Sequence, residues 1–353
     1  NDMFSEKRGN VLHGVLLIAL FSFSAFYIAE FQFIKDLSFS PLIVGIILGM
    51  LYANSLRNHL PVTWVPGILF CTKQVLRAGI VLYGFRLTFQ SVVAIGLPAI
   101  LVDTIIVGGT IGIGMLLGKL LKMDKDLALL TATGSAICGA AAVLGAEPVV
   151  KSQPHKTAVA VSTVVIFGTL SMFIYPALYR AGILDLTPEQ MGVYTGSTLH
   201  EVAHVVGAGN AMGKEISDAA VIVKMIRVMM LAPVLVIMSF FLARAAVKTA
   251  ANRGKGEHEV DSKQRKITIP WFAFGFLAVI GFNSFDLLPH TVVDGINDVD
   301  TFMLTMAMTA LGTETSIEKF KKAGAKPFIL ALLLYVWLLV GGYCLAKYLM
   351  PML

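Results

Sequence analysis

Residues 131–150, TATGSAICGAAAVLGAEPVV, are the stretch on which the interpretation of this chain depends. The stretch lies between long apolar runs and is therefore expected at membrane depth, yet glycines, threonines and a serine make its first half a poor helix. In hydrocarbon a broken helix persists only inside protein or beside a cavity, because every backbone N–H and C=O needs a partner. The half-helix after such a break directs free N–H groups towards a bound anion. Close helix packing through small residues is the alternative interpretation.

The composition is that of an all-α polytopic membrane protein. The 353 residues are 56% hydrophobic and 14% charged, and the mean hydropathy is +0.78, whereas about a quarter of the residues of a soluble protein are charged. Apolar segments of about 20 residues recur along the chain, as in transmembrane helices. The net charge of +6 comes from Lys and Arg in the loops that flank these segments. The lipid bilayer is therefore a predicted partner, and nucleic acid is not a predicted partner.

Eleven apolar segments are predicted to cross the membrane, at residues 11–29, 40–54, 64–85, 91–118, 127–150, 157–180, 188–212, 217–246, 268–285, 299–317 and 327–349. Their order suggests three parts. Residues 1–39 carry an extra N-terminal helix, residues 40–181 form a first repeat of five helices, and residues 188–350 form a second repeat.

The loop charges predict the orientation, because loops rich in Lys and Arg stay in the cytoplasm. The basic loop 248–266 is the longest loop and is assigned to the cytoplasm, with the N-terminus, while the acidic loop 286–300 and the C-terminus are assigned to the periplasm. Lys151 and Lys156 fall on the periplasmic side in this scheme, against the rule.

An internal similarity relates the fifth and tenth segments. Residues 131–135 read TATGS and residues 309–313 read TALGT. Segments separated by an odd number of crossings run in opposite directions, so this match predicts two inverted five-helix repeats whose interrupted helices cross at a substrate site. A rival match pairs Gly-Ser at 134–135 with Gly-Ser at 196–197. It is set aside because segments two apart would cross the membrane in the same direction.

The predicted substrate site combines the two interruptions. Its residues are Thr133, Ser135, Cys138 and Gly139 in the fifth segment, and Thr313, Glu314 and Thr315 in the tenth. Glu314 would bind a cation or a proton, or would cap the second half-helix.

Residues 200–204 read His-Glu-Val-Ala-His, the arrangement found in zinc metalloproteases. A protease needs a third ligand, and the candidate Asp294 lies in a predicted outside loop, so the motif is more simply a polar lining of a transport path. Ionisable residues within membrane segments commonly serve as proton relays. His200, Glu201 and His204 are therefore assigned to coupling or gating, and no metal is predicted.

Two pairs of basic residues lie inside predicted segments, Lys73 with Arg77 and Lys224 with Arg227. Each pair either clamps an anion, extends to the membrane surface, or pairs with a carboxylate such as Asp103 or Glu147. The second and third interpretations are favoured for Lys224 and Arg227. Lys73 and Arg77 are kept as candidates for coupling or gating.

Four motifs in this order resemble the YeiH-like family of bacterial inner-membrane proteins: VLRAGIVLYGFRL (75–87), TGSAICGAAAV (133–143), GSTLHEVAHVVGAG (196–209) and MTALGTET (308–315). Members of that family are commonly labelled sulfate exporters. The resemblance implies kinship with the superfamily of sodium/proton antiporters and anion transporters, in which two inverted five-helix repeats cross at interrupted helices. It also implies an inner-membrane location and a homodimer.

Together these observations predict a secondary active transporter and not an enzyme. The predicted substrate is a small inorganic or organic anion, such as sulfate or another sulfur oxyanion, moved by alternating access. No cofactor is predicted beyond a coupling H+ or Na+. An intramembrane zinc metalloprotease, which would carry stoichiometric zinc, and an ion channel, whose flux would be too fast for alternating access, remain the alternatives.

Overall fold

The structure, a computed structural model, describes residues 2–36, 41–56, 61–252, 271–313, 316–318, 321 and 324–353. The described residues form helices and turns with no strand, which confirms the all-α prediction. The helices are α1 Asp2–Ala29, α2 Gln32–Asp36, α3 Pro41–Ser55, α4 Val65–Phe70, α5 Leu76–Tyr83, α6 Phe89–Leu120, α7 Lys125–Ala136, α8 Ala140–Val150, α9 Pro154–Arg180, α10 Pro188–Thr198, α11 Val202–Met212, α12 Lys214–Met229, α13 Leu231–Asn252, α14 Trp271–Ser284, α15 His290–Thr313 and α16 Ala325–Cys344.

Six helical stretches in the described part of the chain are long and apolar enough to cross a membrane: Ser5–Ala29, Val62–Arg86, Phe89–Leu120, Val159–Arg180, Lys214–Ala246 and Ala325–Met352. Large apolar side chains such as Phe23 and Leu97 are exposed on two of these stretches, as expected for surfaces that face lipid. Eleven spans were predicted, and the fifth and seventh predicted segments differ most from that expectation, because each is divided into two short helices.

The fifth segment forms a helical hairpin, hereafter the first hairpin, made of α7, the turn 137–139 and α8. A Cβ placed on Gly134 would lie 2.7 Å from Cγ2 of Val143, whereas a continuous helix would separate these residues by about 13 Å. The two ends of the hairpin also lie together, since Lys156 Nζ is 2.9 Å from Asp126 Oδ2. The chain therefore enters and leaves this segment at the same end.

The seventh segment forms a second hairpin, made of α10, the turn 199–201 and α11. The chain then continues as α12, which packs along both arms. Gly192 of α10 lies against Ala219, and Gly209 of α11 lies against Ser217. Because residues near the start of α10 and the end of α11 contact the same end of α12, the second hairpin also returns to the end from which it starts.

The two hairpins enter from opposite ends of α9, which connects them. This helix has 27 residues and is about 40 Å long. Lys156, near its start, binds the base of the first hairpin, while Arg180 at its end donates a 2.7 Å hydrogen bond to the carbonyl of Ala211 at the base of the second. Near the middle of α9, Val164 lies beside Gly139 and Gly168 lies beside His204. Both tips therefore reach the central level of the helix.

The interruption in the seventh segment was not predicted. The Gly-Ser pairs at 134–135 and 196–197, set aside in the sequence analysis, lie near the end of the first arm of each hairpin. The reason for setting them aside was wrong, because a hairpin returns to its own side and does not count as a crossing. The helix α15 is continuous from His290 to Thr313. Residues 314–315, where its interruption is predicted, lie outside the described residues, and the five-helix repeats stay a prediction.

The helices pack into two groups. The first group contains α1, α3, α4, α5, α14 and α15, and the second contains α6 to α12 and α16, with both hairpins. Small residues allow close packing within each group: Gly312 lies against Gly49 in the first, and Gly114 lies against Ala132 in the second. Contacts between the groups are sparser and include α11 with α15 and α12 with α14.

The ion pair at the base of the first hairpin makes a testable contribution to stability. Partial burial opposes it, but hydrogen bonds from Lys156 and from the Leu127 N–H lower the pKa of Asp126 below its ordinary value. A lowered pKa stabilises the fold above the unfolded-state value and loses this effect as the pH falls through the folded-state value. We expect Asp126→Asn to lower Tm by about 1–3 °C at pH 7, the size of a partly screened ion pair.

Thermal unfolding of the detergent-solubilised protein between pH 3 and pH 8 measures this effect. The difference between Asp126→Asn and the wild type should shrink towards the acid end of this range, because the carboxylate of Asp126 becomes protonated there first in the unfolded state and then in the folded state. Asp298→Asn serves as the control, because Asp298 is exposed on α15. A difference that stays constant with pH would contradict a role for the ionised carboxylate.

Candidate functional site

The tips of the two hairpins touch each other. A Cβ on Gly139 would overlap Cγ of Glu201 and would lie 3.0 Å from its Oε1, so the side chain of Glu201 lies directly on the backbone of the first tip. The neighbouring residues Cys138 and His200 are buried, as is Glu201 itself. The two hairpin tips therefore meet deep within the second group of helices.

Lys224 of α12 joins the tips through their backbones. Its Nζ donates hydrogen bonds to the carbonyls of Ile137 at 2.6 Å, Leu199 at 2.8 Å and His200 at 2.7 Å. These bonds use all three donors of the ammonium group. The side chain is fully buried, so it does not extend to the membrane surface.

Arg227, one helical turn further along α12, also donates hydrogen bonds to backbone carbonyls next to the two tips. Its Nε donates to the carbonyl of Ala136 at 2.6 Å, Nη1 to Leu199 at 2.9 Å and Nη2 to Ser135 at 2.7 Å. Carbonyls at a helix C-terminus have no partner within the helix and carry the negative end of its dipole. Lys224 and Arg227 therefore cap the C-terminal ends of α7 and α10. Both side chains are buried, so neither extends to the membrane surface, while Asp103 is close enough to interact electrostatically with both.

The same arrangement leaves the beginnings of α8 and α11 facing the tip contact. Gly139 and Glu201 precede the first residues of these two helices, and neither cap position makes a side-chain capping hydrogen bond. A helix N-terminus carries free N–H groups and a partial positive charge. Because cations already compensate the two C-termini, the remaining positive potential at the tips suits a bound anion, and Glu201 is the acidic side chain closest to it.

Several buried polar atoms around the tips have no hydrogen-bond partner within the described part of the chain. They are Nδ1 of His200, both ring nitrogens of His204, Oγ1 of Thr195 and both carboxylate oxygens of Asp103. The ring of His204 lies against Gly168, where a Cβ would overlap Nδ1. Buried polar groups without protein partners are typical of positions that bind water or a ligand.

The first tip contains all four residues predicted from the fifth segment, and each is buried. Their polar groups make different hydrogen bonds. The hydroxyl of Thr133 donates to the carbonyl of Leu129 in its own helix at 2.7 Å, and Ser135 uses its carbonyl to bind Arg227. The conformation of the turn depends on Gly139, whose φ of +68° favours glycine.

Of the other half of the predicted site, Thr313 alone lies within the described residues. Thr313 is buried at the end of α15, where its hydroxyl donates to the carbonyl of Ala310 and its backbone N–H lies against Gly49 of α3. Glu314 and Thr315 lie outside the described residues. The residues that the structure brings to the first tip are instead His200 and Glu201.

Lys73 and Arg77 lie in the first group of helices and are exposed. Arg77 lies over the ring of Phe272 at 5.8 Å. Lys73 lies in the π-helical turn Cys71–Val75, and Arg77 lies in α5, which follows it. Sequence alone ranked this pair above Lys224 and Arg227, because backbone carbonyl partners leave no trace in the residue pattern.

The zinc-protease alternative depends on His200 and His204 sharing one face of a helix. The helix α11 begins at Val202, after His200, so the two histidines do not share an uninterrupted helix. Within the described ranges no three His, Cys, Asp or Glu side chains are placed to hold a metal ion together. The structure therefore places the first residues of the HEVAH motif at a hairpin tip.

Apolar helices that surround two opposed hairpins define a membrane protein. The model of the family described as "Conserved hypothetical protein 698" matches residues 13–331. The chain is 70% identical to a UPF0324 membrane protein of Bacteroides thetaiotaomicron over 97% of this chain and all of that protein. It is 45% identical to the UPF0324 inner membrane protein YeiH of Escherichia coli, over 93% of this chain and 91% of that protein.

The chain belongs to the UPF0324 family of membrane proteins. This result confirms the resemblance on which the sequence analysis relied. The descriptions of these relatives specify a membrane location and name no substrate. No solved structure is significantly similar to the chain.

Proposed function

We propose that this protein is a secondary active transporter of a small anion, which binds where the two hairpin tips meet. The observation that carries the proposal is the polarity of the four helix ends at that point. Lys224 and Arg227 cap the C-termini of α7 and α10, so the positive potential that remains at the tips is that of the N-termini of α8 and α11. Half-helices with this polarity bind anionic groups in known transporters.

Alternating access follows from the two opposed hairpins. Each tip separates the site from one side of the membrane, so movement of one hairpin opens the site to that side only. The two groups of helices supply the moving parts, because contacts within each group are denser than contacts between them. Movement of the hairpin-bearing group against the other exposes the tips to the two sides in turn.

The hairpins also allow a topology that agrees with the loop charges. If the first hairpin enters from the cytoplasm, Lys151 and Lys156 lie with the basic loop 119–125 on the cytoplasmic side, as the positive-inside rule requires. The same topology keeps loop 248–266 and the N-terminus in the cytoplasm and the C-terminus in the periplasm. The location of E. coli YeiH supports the inner membrane for this chain.

Sulfate is the first substrate to test, with related sulfur oxyanions next. An oxyanion accepts several N–H donors at once, which matches the paired helix N-termini. The proposal includes a coupling ion, H+ or Na+, and leaves the homodimer as an expectation. A catalytic activity is not part of the proposal.

Uptake of labelled sulfate into proteoliposomes tests this function. We expect saturable uptake that unlabelled sulfur oxyanions inhibit. Glu201→Gln removes a negative charge beside the site and should lower the apparent KM for the anion about tenfold, equivalent to roughly 1.4 kcal/mol. Glu189→Gln is the matched control, because Glu189 is exposed at the base of the same hairpin. The proposal fails if the folded protein moves none of the tested small anions.

A further inference from the structure

We propose that Asp103 of α6 accepts the proton that couples proton movement to anion binding at the hairpin tips. This inference rests on the proposed function and assigns a residue to the coupling step. It uses a carboxylate outside the hairpins, which the sequence analysis considered only as a partner for the basic residues of α12.

Asp103 lies beside an apolar cluster to which four helices contribute, α6, α10, α12 and α16. Its side chain is fully buried. The preceding residue Val102 belongs, with Ile106, to a cluster that includes Val193 of α10 and Val223 of α12. Asp103 therefore lies on a helix that packs against α10 of the second hairpin and against α12, where Val223 directly precedes Lys224.

Neither oxygen of Asp103 has a hydrogen-bond partner in the described part of the chain. The other fully buried aspartate differs, since Oδ2 of Asp300 accepts a 3.2 Å hydrogen bond from Arg86. A buried carboxylate without donors is costly as an anion, and a bound proton removes that cost. No hydrogen bond therefore holds Asp103 in the ionised form.

The charged groups that face Asp103 are Arg227 and Lys224, and no other titratable side chain interacts with it electrostatically in the described residues. Both cations direct their N–H donors to the tip carbonyls and make no ion pair with it there. Cys138 and Glu201 lie beyond these cations, at the first and second tips. His200 also lies beside them. Asp103 is therefore linked to the tips through the electrostatic field and not through contact.

This geometry couples the two binding events. An anion at the tips lowers the positive potential at Arg227 and Lys224, which otherwise favours the ionised form of Asp103. Anion binding thus favours protonation of Asp103, and protonation strengthens anion binding by the same factor, because linkage is reciprocal. The direction is symport: one proton enters with the anion. A metal cation is disfavoured at this position because two fixed cations would repel it.

The test measures proton uptake on sulfate binding to the detergent-solubilised protein, by calorimetry in buffers of different ionisation enthalpy from pH 5.5 to pH 8.5. We expect the wild type to take up a proton and to bind sulfate more tightly as the pH falls, by about tenfold per pH unit in the coupled range. Asp103→Asn should bind tightly at all pH values without proton uptake. Asp300→Asn is the control for loss of a buried aspartate and should keep the uptake.

The outcomes separate this inference from the proposed function. A wild type that binds no small anion overturns the proposed function and the coupling together. Proton uptake that persists in Asp103→Asn, or that disappears in His204→Gln alone, overturns the coupling assignment and leaves the transporter standing. A measurement without any substitution covers the case in which Asp103→Asn does not fold. Sulfate binding to the wild type should produce the infrared band of a protonated carboxyl group, and its absence overturns the assignment.

Discussion

Replacing Arg227 with methionine is expected to lower the stability of the protein strongly. Methionine fills a similar volume but leaves the carbonyls of Ser135, Ala136 and Leu199 without these hydrogen bonds. Buried hydrogen bonds to a charged group contribute about 1.5–3 kcal/mol each. Even the 3–5 kcal/mol typical of a broken buried charge interaction is a large part of a total stability of about 5–15 kcal/mol.

We expect Arg227→Met to lower Tm by about 10 °C and to abolish anion uptake, as measured by thermal unfolding in detergent and by flux in proteoliposomes. Lys224→Met should behave in the same way, because it removes three further bonds to the tips. Arg227→Lys keeps the charge but not the planar fork of donors, so its effect should be intermediate. Arg77→Met is the control, since Arg77 is exposed in the other group of helices. A wild-type Tm for Arg227→Met would rule out the capping role.

Replacing Gly139 with alanine is expected to impair transport strongly at a smaller cost in stability. The residue has φ +68° and ψ −129°, a conformation that is nearly restricted to glycine and costs other residues about 1–3 kcal/mol. The added Cβ would also overlap Glu201 and would lie 2.7 Å from Cγ1 of Val164. The two tips must therefore separate or the turn must change, and either response disturbs the site.

Uptake by Gly139→Ala should fall at least about tenfold, which corresponds to roughly 1.4 kcal/mol in the transport barrier. Gly182→Ala is the control that separates the effect of backbone strain from that of steric overlap. Gly182 has φ +71°, but no heavy atom lies within 4 Å of an added Cβ. That variant should transport normally. In a Glu201→Ala background the stability cost of Gly139→Ala should shrink, since the overlapping side chain is gone. Equal costs in both backgrounds would show that the tips do not touch.

Much of the first tip was predictable from the sequence. Gly134 and Gly139, within an apolar run, predicted a broken helix at membrane depth, and the break lies at residues 137–139. The second break was harder to find, although the match between residues 134–135 and 196–197 indicated it. It was rejected on the assumption that each apolar segment crosses the membrane once. A hairpin and a full crossing have similar composition, so sequence periodicity does not distinguish them.

The sequence by itself determined the membrane class, the all-helical fold, the first chain break and the family. These properties depend on local composition and on the order of motifs, because burial in hydrocarbon requires apolar helices whatever their arrangement. The tertiary structure alone decided that the second break lies at residues 199–201, and that Lys224 and Arg227 cap the hairpins. Their partners are backbone carbonyls about 25 to 90 residues away, and every residue type carries a carbonyl. The folded structure is therefore needed to show which carbonyls the two buried cations bind.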